Sequence, residues 1–189
     1  FYLDLNIHKV IDAAASKPFG FRKFSPGPGV GGHCIPIDPL YMTWISKKNN
    51  YNPKFIDLSL KINKKITKWT INNILNNLPK KKKTKIIALG LTYKKDVNDL
   101  RESPSFKIFK TLLLKKYKIN FSDPYIKKIT INKKKFNSIM VNNYSKYDCV
   151  LILTDHENFK YQKILKESNL IIDTRGKYKN VNSSKIISL

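Results

Sequence analysis

Short apolar segments alternate with helical patterns in the second half of the chain, and this alternation constrains the fold more than any other feature. Residues 85–91 (KIIALGL) form a continuous apolar run, the pattern of a strand that is buried on both faces. Three more segments predict strands at 118–122, 148–153 and 169–173, and 185–188 predicts an edge strand. Helices are predicted between them, from Ser103 and Pro104 to about Lys116 and over 157–167.

Strands that alternate with helices imply a parallel sheet with right-handed crossovers. The sequence therefore predicts an α/β fold, a doubly wound, Rossmann-like parallel sheet, over residues 84–189. Ligands of such folds bind at the carboxyl ends of the strands. Those ends carry charged and hydroxyl-bearing residues at 91–101, 123–125, 154–156 and 173–175.

The first half of the chain, 1–79, is predicted to be helical and to carry one long loop. Residues 1–16 have the pattern of a helix end, and 17–37 form a loop rich in Gly and Pro. Asp38 and Pro39 predict the N-cap and first residue of a helix over 39–48.

A longer helix is predicted from Pro53 to Leu78, because apolar residues recur there at helical spacing. The stripe comprises Phe55, Leu58, Ile62, Ile66 and Trp69, with Asn73 continuing the spacing. A stripe this apolar needs another surface to cover it.

The chain is strongly basic, with 37 Lys and Arg residues against 13 Asp and Glu and a formal net charge of +24. Such a charge favours nucleic acid or other anions as partners. All but three of the basic residues are lysines, beside an equally heavy use of Asn and Ile, which A/T-rich codons explain without any ligand. The Lys runs at 80–83 and 133–135 are predicted to be solvated loops. We expect no nucleic-acid partner, although a basic α/β module that binds nucleic acid stays open as an alternative.

Two cysteines cannot form the disulfide framework of a small secreted protein, and no apolar stretch approaches the roughly 18 residues of a membrane span. We therefore expect a cytoplasmic protein with no membrane partner. The chain begins with Phe1 inside a helical pattern, so we expect that residues precede it in the complete protein.

Cys34 is the candidate nucleophile. It follows a loop whose Gly27, Gly29 and Gly32 match G-x-G-x-x-G, but Pro26 and Pro28 block the preceding strand that a dinucleotide-binding loop needs. The glycines instead permit close backbone approach and a turn that presents the thiol. A polar loop close to a helix start, in a basic protein, favours the reactive thiolate.

The remaining Cys and His residues predict no further chemistry. Cys149 lies in an apolar strand and is predicted to be a small core residue. His33 and His156 lack the spacing and the additional ligands of a zinc site, so we expect no metal.

Several motifs together resemble the UDP-glucose/GDP-mannose dehydrogenase family, and most closely its UDP-N-acetylglucosamine 6-dehydrogenase branch. The motifs are PGPGVGGHCIPIDPLY, the preceding VIDAAASKPFGF, and the later LGLTYKKDVNDLRESPS, SDPY, LTDH and IIDTRG. The resemblance implies a central helical dimerisation region with the cysteine loop over 1–79, and a UDP-sugar-binding domain over 84–189. It also implies that the nicotinamide-binding domain would lie before Phe1, so we expect these 189 residues alone to be inactive.

The resemblance implies a reaction in which a UDP-hexose is oxidised twice by two NAD+ to the uronic acid, through a thiohemiacetal and a thioester on cysteine. Cys34 matches the nucleophile and Asp38 the aspartate of the hydrolysis step. Lys94, Arg175 and Gly31 match substrate-contacting positions. Arg101 matches an arginine of the family that contacts the cofactor. Arg22 lies close in sequence to the position of an arginine that, in family members, reaches into a neighbouring subunit's site.

Two further expectations follow from the resemblance. Glucose-specific members carry a lysine where this chain has Ile37, so an N-acetylated substrate, UDP-N-acetylglucosamine, is favoured over UDP-glucose. The long helix packs against its copy in family members, so a homodimer or higher oligomer is expected. A catalytically inactive remnant that still binds UDP-sugar stays open as an alternative.

Overall fold

A five-stranded parallel sheet forms the α/β half of the protein in the computed structural model, which describes residues 5–80 and 83–189. The strands lie in the order β2-β1-β5-β6-β7. Their bounds are β1 Lys85–Leu89, β2 Lys118–Ser122, β5 Cys149–Ile152, β6 Ile171–Asp173 and β7 Ile186–Ser188. Two further strands, β3 Lys128–Ile131 and β4 Lys134–Asn137, form a separate hairpin. The predicted doubly wound parallel α/β fold is therefore confirmed, including the edge strand near the C-terminus.

Both faces of this sheet are buried, as the continuous apolar strands require. Alternate residues of β1 point to opposite faces, so Ile86 packs in one core cluster and Ile87 in the other. Helices α3 (Lys54–Asn77) and α4 (Pro104–Leu114) contribute to the first cluster, and α5 (Tyr161–Glu167) contributes to the second. Tyr144, in a short 3₁₀ helix at Tyr144–Lys146, completes the second cluster.

A β-hairpin lies where the sequence predicts a solvated loop at 133–135, so that prediction is wrong for Lys134 and Lys135. Strands β3 (Lys128–Ile131) and β4 (Lys134–Asn137) pair antiparallel around Asn132 and Lys133, whose φ angles are 49° and 63°. Two positive φ angles in a two-residue loop match the twist of a hairpin. Ile129 and Ile131 are buried in the core, and this burial holds the hairpin despite its exposed lysines.

The other predicted loop, at 80–83, is described only in part, because Lys81 and Lys82 lie outside the described residues.

Helix α1 covers Ile7–Ala14, and the Asn6 side chain caps it by accepting from the N–H groups of His8 and Lys9. Of the predicted helix over 1–16, residues 1–4 lie outside the described part of the chain, and among residues 5–16 only Ile7–Ala14 are helical.

Helix α2 spans Cys34–Lys48, so the prediction that Asp38 is its N-cap is wrong. The helix begins five residues earlier than expected, with His33 at the N-cap position and Pro39 inside the helix. Pro36 is the third helical residue, where a missing N–H breaks no bond because the first N–H groups of a helix have no helical acceptor.

Helix α3 divides its residues between the core and the surface. Thr67, Thr70, Ile71 and Ile74 are buried, and the two isoleucines pack in the first core cluster. The predicted apolar stripe lies on the other side, where Phe55 is 83% exposed and Leu58 is 54% exposed. In the part of the chain that the structure describes, no helix combines the length and hydropathy needed to cross a membrane.

Candidate functional site

The glycine-rich loop that precedes Cys34 is held on one side by α3. The Asn63 side chain pairs with the backbone of Val30, accepting from its N–H at 2.8 Å and donating to its carbonyl at 2.9 Å. One turn further along the helix, the Thr67 hydroxyl donates to the carbonyl of Pro28 at 2.9 Å. These three bonds fix the backbone of a segment that has no regular secondary structure of its own.

The 91–104 segment, which follows β1, holds the same loop from the other side. The N–H of Gly32 donates to the carbonyl of Arg101 at 2.9 Å. A Cβ atom on Gly31 would lie 2.7 Å from the carbonyl oxygen of Glu102 and 2.9 Å from Pro104 Cδ. Gly31 is therefore buried in a contact that only glycine permits.

The three glycines of the G-x-G-x-x-G pattern are covered by side chains. Gly27 lies against Arg175, Gly29 against Thr67, and Gly32 against the ring of Tyr93. A dinucleotide-binding loop needs a preceding strand and glycines that are open to a pyrophosphate. The described residues do not fit a dinucleotide at this loop.

Cys34 is the first residue of α2, and its thiol is free and exposed. Asp38 follows one helical turn later, and His33 stands at the N-cap, with its Nδ1 atom 3.6 Å from Asp38 Oδ1. The ligand atoms of these three residues all lie within 4.8 Å of one another. Backbone N–H groups at a helix N-terminus favour negative charge, which suits a thiolate.

Two neighbouring cavities divide five of the seven predicted site residues between them. A cleft of about 770 Å³ is lined by Gly31, Lys94 and Arg175, together with Tyr93 and Phe24. Cys34 and Asp38 line an adjacent apolar groove of about 880 Å³ between α2 and α3. Ile35 and Phe55 line both cavities, so the two spaces adjoin at these side chains.

Arg175 is positioned by two carboxylates at the carboxyl ends of neighbouring strands. Buried Asp173 accepts from the N–H groups of Arg175 at 2.9 Å and of Tyr178 at 2.8 Å, which shapes the turn after β6. The guanidinium Nε donates to Asp155 Oδ1 at 3.1 Å, and both side chains are largely buried. This pair directs the arginine toward the glycine-rich loop.

The turn that carries Lys94 is fixed by a buried histidine. His156 Nδ1 accepts from the backbone N–H of Asp96 at 2.9 Å, and Asp96 has a left-handed φ of 58°. His156 Nε2 lies 3.2 Å from the Thr92 hydroxyl, which in turn donates to the carbonyl of Lys94 at 2.8 Å. Lys94 itself is exposed and lines the cleft.

Asp123 completes this network at the carboxyl end of β2. Its carboxylate accepts from the N–H groups of Leu91 and Ile126 and lies 3.3 Å from His156 Nε2. Burial alone would raise the pKa of Asp123, but the hydrogen bonds from His156, Leu91 and Ile126 outweigh it and hold the pKa below its usual value. The network ties the ends of β1, β2 and β5 together beneath the cleft.

Arg22 and Arg101 line neither cavity. The guanidinium of Arg101 donates hydrogen bonds from Nε and Nη2 to the Asp99 carboxylate, with Nη2 2.7 Å from Oδ2. The Arg101 side chain is 65% exposed. Hydrogen bonds from the Arg101 side chain and backbone hold the pKa of Asp99 below its ordinary value. Arg22 is exposed and lies over the ring of Phe24, with 5.7 Å between Cζ and the ring centroid.

Cys149 is buried in β5, as predicted, and burial raises the pKa of its thiol to about 12.

Sequence reasoning missed the residues that position the site, namely Asn63, Thr67, Tyr93, Asp155 and His156. Asn63 and Thr67 are four residues apart on α3 and share one face, a polar pair beside an apolar stripe that could have drawn attention.

Comparisons with known proteins agree with this architecture. Residues 2–65 match the model of the UDP-glucose/GDP-mannose dehydrogenase family, central domain, and residues 87–180 match the UDP binding domain of the same family. The UDP-N-acetyl-D-mannosamine dehydrogenase of Methanococcus vannielii is 36% identical over 185 residues, covering 92% of this chain and 41% of that protein. The NDP-N-acetyl-D-galactosaminuronic acid dehydrogenase of Ralstonia solanacearum is 27% identical over 177 residues, covering 92% of this chain and 41% of that protein.

Solved structures show the same fold. The native UDP-N-acetyl-mannosamine dehydrogenase Cap5O of Staphylococcus aureus superimposes with a TM-score of 0.67 at 28% identity, over 99% of this chain and 42% of that one. The UDP-D-ManNAc dehydrogenase of Pyrococcus horikoshii has a TM-score of 0.74 at 24% identity, over 99% of this chain and 44% of that one.

The described residues combine a parallel α/β sheet, a cleft with Lys94 and Arg175 in its lining, and helices that present a thiol. The chain belongs to the UDP-glucose/GDP-mannose dehydrogenase family. It spans less than half the length of the curated relatives described above.

Proposed function

We propose that this chain supplies the thiol and the nucleotide-sugar site of a dehydrogenase that oxidises a UDP-N-acetylhexosamine to its uronic acid. The observation that carries the proposal is the placement of Cys34. The thiol stands exposed at the start of α2, on a loop that α3 and the 91–104 segment both hold, beside a cleft lined by Lys94 and Arg175.

The thiol's part in the proposed reaction is covalent capture of an aldehyde. The Cys34 thiolate adds to the carbonyl carbon at C6 of the sugar and forms a C–S bond, which gives a thiohemiacetal. Its oxidised form is a thioester; water attacks the same carbon, the C–S bond breaks, and the thiolate leaves. We assign Asp38 to this hydrolysis, since its carboxylate lies on the same face of the first turn of α2.

Two cations are proposed to bind the nucleotide part of the substrate. Lys94 is exposed at the cleft, and Arg175 is held in the cleft wall by Asp155. Charged donors of this kind suit a diphosphate, and Arg175 can offer the guanidinium nitrogens that Asp155 does not engage. Gly31 is proposed to let the loop approach the substrate closely, and Arg22 to reach a neighbouring subunit's site.

The sugar is proposed to be N-acetylated. Relatives that act on UDP-N-acetyl-D-mannosamine by name include the Methanococcus vannielii enzyme at 36% identity, which favours that sugar over UDP-N-acetylglucosamine, the one that the sequence motifs favour. Ile37 replaces the lysine of glucose-specific members and supports exclusion of UDP-glucose.

NAD+ is proposed as the acceptor of the two hydrides that the oxidations release. The described residues form no dinucleotide-binding loop, so the chemistry that this chain contributes is that of the thiol and of substrate binding. Arg101 is proposed to contact the cofactor, because its guanidinium is exposed and its backbone carbonyl is hydrogen-bonded to Gly32, two residues before Cys34.

Self-association is proposed through the exposed faces of α2 and α3. Trp44 on α2 is 63% exposed and Phe55 on α3 is 83% exposed, and both line the apolar groove. Exposed apolar surface of this extent marks an interface. We propose that a second copy of the chain covers it.

The decisive experiment substitutes the thiol in the whole protein. We expect two NADH per sugar, and Cys34→Ser should abolish steady-state release of the uronic acid while UDP-sugar binding persists. Cys149→Ala, a change at the other cysteine, is the control that should keep turnover. Unchanged turnover in Cys34→Ser would remove Cys34 from the mechanism.

Calorimetry on the 189-residue chain tests recognition separately from turnover. We expect UDP-N-acetylmannosamine to bind more tightly than UDP-glucose at both low and high salt, with weak affinity. Binding only to nucleic acid would favour the basic-module alternative. UDP-sugar binding without any turnover by the whole protein would favour the inactive remnant.

A further inference from the structure

We propose that His33, Cys34 and Asp38 form a binding site for Zn²⁺, and that the bound metal blocks the thiol reversibly. The sequence alone predicts no metal, because His33 and His156 lack the spacing of zinc ligands. The structure separates those histidines, since His156 is buried under the cleft. It places His33 instead with a thiol and a carboxylate.

The helix start explains the juxtaposition of the three donors. Cys34 and Asp38 are four residues apart, so they share one face of α2. His33 precedes the helix with a φ of −105° and a ψ of −64°, and its ring makes no capping hydrogen bond. Its Nδ1 atom lies 3.6 Å from the Asp38 carboxylate.

The geometry is close to that of a tetrahedral zinc site. Zinc bonds of about 2.3 Å to sulfur and about 2.0–2.2 Å to nitrogen and oxygen place tetrahedral ligand atoms roughly 3.3–3.6 Å apart. The His33–Asp38 separation already matches, and every ligand-atom pair in the cluster lies within 4.8 Å. All three residues are exposed, so small rotamer changes can close the remaining distance.

The donor set selects the metal. Thiolate and imidazole ligands prefer Zn²⁺ to the hard ions Mg²⁺ and Ca²⁺, which take oxygen ligands. A thiolate and a carboxylate also balance the two charges of the ion, with a neutral imidazole as the third ligand. Three protein ligands leave one position for water, as in open zinc sites.

The consequence for function rests on the proposed role of Cys34. Coordination to zinc draws electron density from the sulfur and makes it a weaker nucleophile toward an aldehyde, so the metal should inhibit the dehydrogenase until a chelator removes it. Metal binding itself does not depend on that role. The two ideas are therefore tested by different measurements.

The test of binding uses Co²⁺ as a spectroscopic probe on the 189-residue chain. We expect thiolate-to-cobalt absorption that saturates at one ion per chain and that Zn²⁺ abolishes by displacement. Cys34→Ser should remove the band, and His33→Asn and Asp38→Asn should each weaken binding at least roughly tenfold, since even outer-shell partners cost that much when removed. His8→Asn and Cys149→Ala are matched controls that should leave the titration unchanged.

A second measurement needs no variant. Iodoacetamide labelling of Cys34, followed by mass spectrometry, should slow at least tenfold with Zn²⁺ and remain unchanged with Mg²⁺. Absence of the cobalt band, its survival in Cys34→Ser, or failure of Zn²⁺ to protect the thiol would each overturn the site. Zinc that binds Cys34 but leaves the whole protein active would keep the site and count against the proposed function.

Discussion

Replacing Gly31 by alanine tests whether the cysteine loop is held by close packing against the 91–104 segment. The new Cβ would lie 2.7 Å from the carbonyl oxygen of Glu102, 2.8 Å from Tyr93 Cβ and 2.9 Å from Pro104 Cδ. Carbon atoms prefer separations of about 3.5–4.0 Å, so the two carbon contacts, to Tyr93 and Pro104, are short by roughly 0.6–1.2 Å. The neighbours are a backbone carbonyl, a Cβ and a proline ring, none of which can rotate away.

The expected cost follows from overpacking in a buried contact. Such substitutions destabilise by about 1–3 kcal/mol, and alanine recovers about 0.4–1 kcal/mol by restricting the unfolded chain. The difference spans about 0–2.6 kcal/mol. The middle of that range, a net loss of about 1–2 kcal/mol, lowers the thermal midpoint by roughly 2–8 °C for a chain of this size. A displaced loop should also alter the rate at which iodoacetamide labels Cys34.

Gly20→Ala is the matched control for this substitution. Gly20 has a φ of +75° but nothing within 4 Å of its Cβ position, so it tests backbone strain without overpacking. The stretch around it is exposed and can relax, and we expect a smaller drop with unchanged Cys34 labelling. Thermal unfolding by circular dichroism measures both variants. A midpoint for Gly31→Ala equal to that of the wild type would refute the packing argument.

Three further predictions test assembly, acid stability and substrate binding. Phe55→Lys should convert a dimer, seen by light scattering at micromolar concentration, into a monomer; a wild-type monomer would contradict the proposed interface. Because the folded-state pKa of Asp123 lies below the unfolded value of 3.8, its stabilisation is present above that pH and is lost as the pH falls through the folded value. Urea unfolding should therefore depend less on acid pH in Asp123→Asn; an identical pH dependence would contradict this. Arg175→Gln should weaken UDP-sugar binding by about 1.5–3 kcal/mol in calorimetry, the range for a hydrogen bond to a charged group, and unchanged affinity would exclude Arg175 from the site.

The sheet could be predicted from sequence because its central strands, β1, β5 and β6, are apolar on both faces. β1 and β5 are buried along nearly their whole length, so composition alone marks them. The β3–β4 hairpin escaped prediction because only one face is buried, and its exposed face carries lysines. Its turn, Asn132 and Lys133, also lacks the glycine that usually marks such a loop.

The start of α2 was predicted too late because Pro39 resembles a first helical residue. The structure places it one turn further inside, where it removes one helical hydrogen bond. The motif identified Cys34 and Asp38, but their closeness to His33 depends on where the helix begins. Likewise, the buried contacts of His156 form only where the ends of three strands meet, and a local sequence pattern cannot predict that meeting.

The contact between Gly32 and Arg101 has a consequence for exchanging parts between family members. A chimera joined at the Lys-rich connection after α3 would take the cysteine loop from one parent and the 91–104 segment from the other. The hydrogen bond from Gly32 and the packing of Gly31 on Glu102 and Pro104 would then have to form between segments of two different parents. A functional hybrid must therefore inherit the loop and that segment from the same parent, so the natural crossover points lie before the loop or after α4.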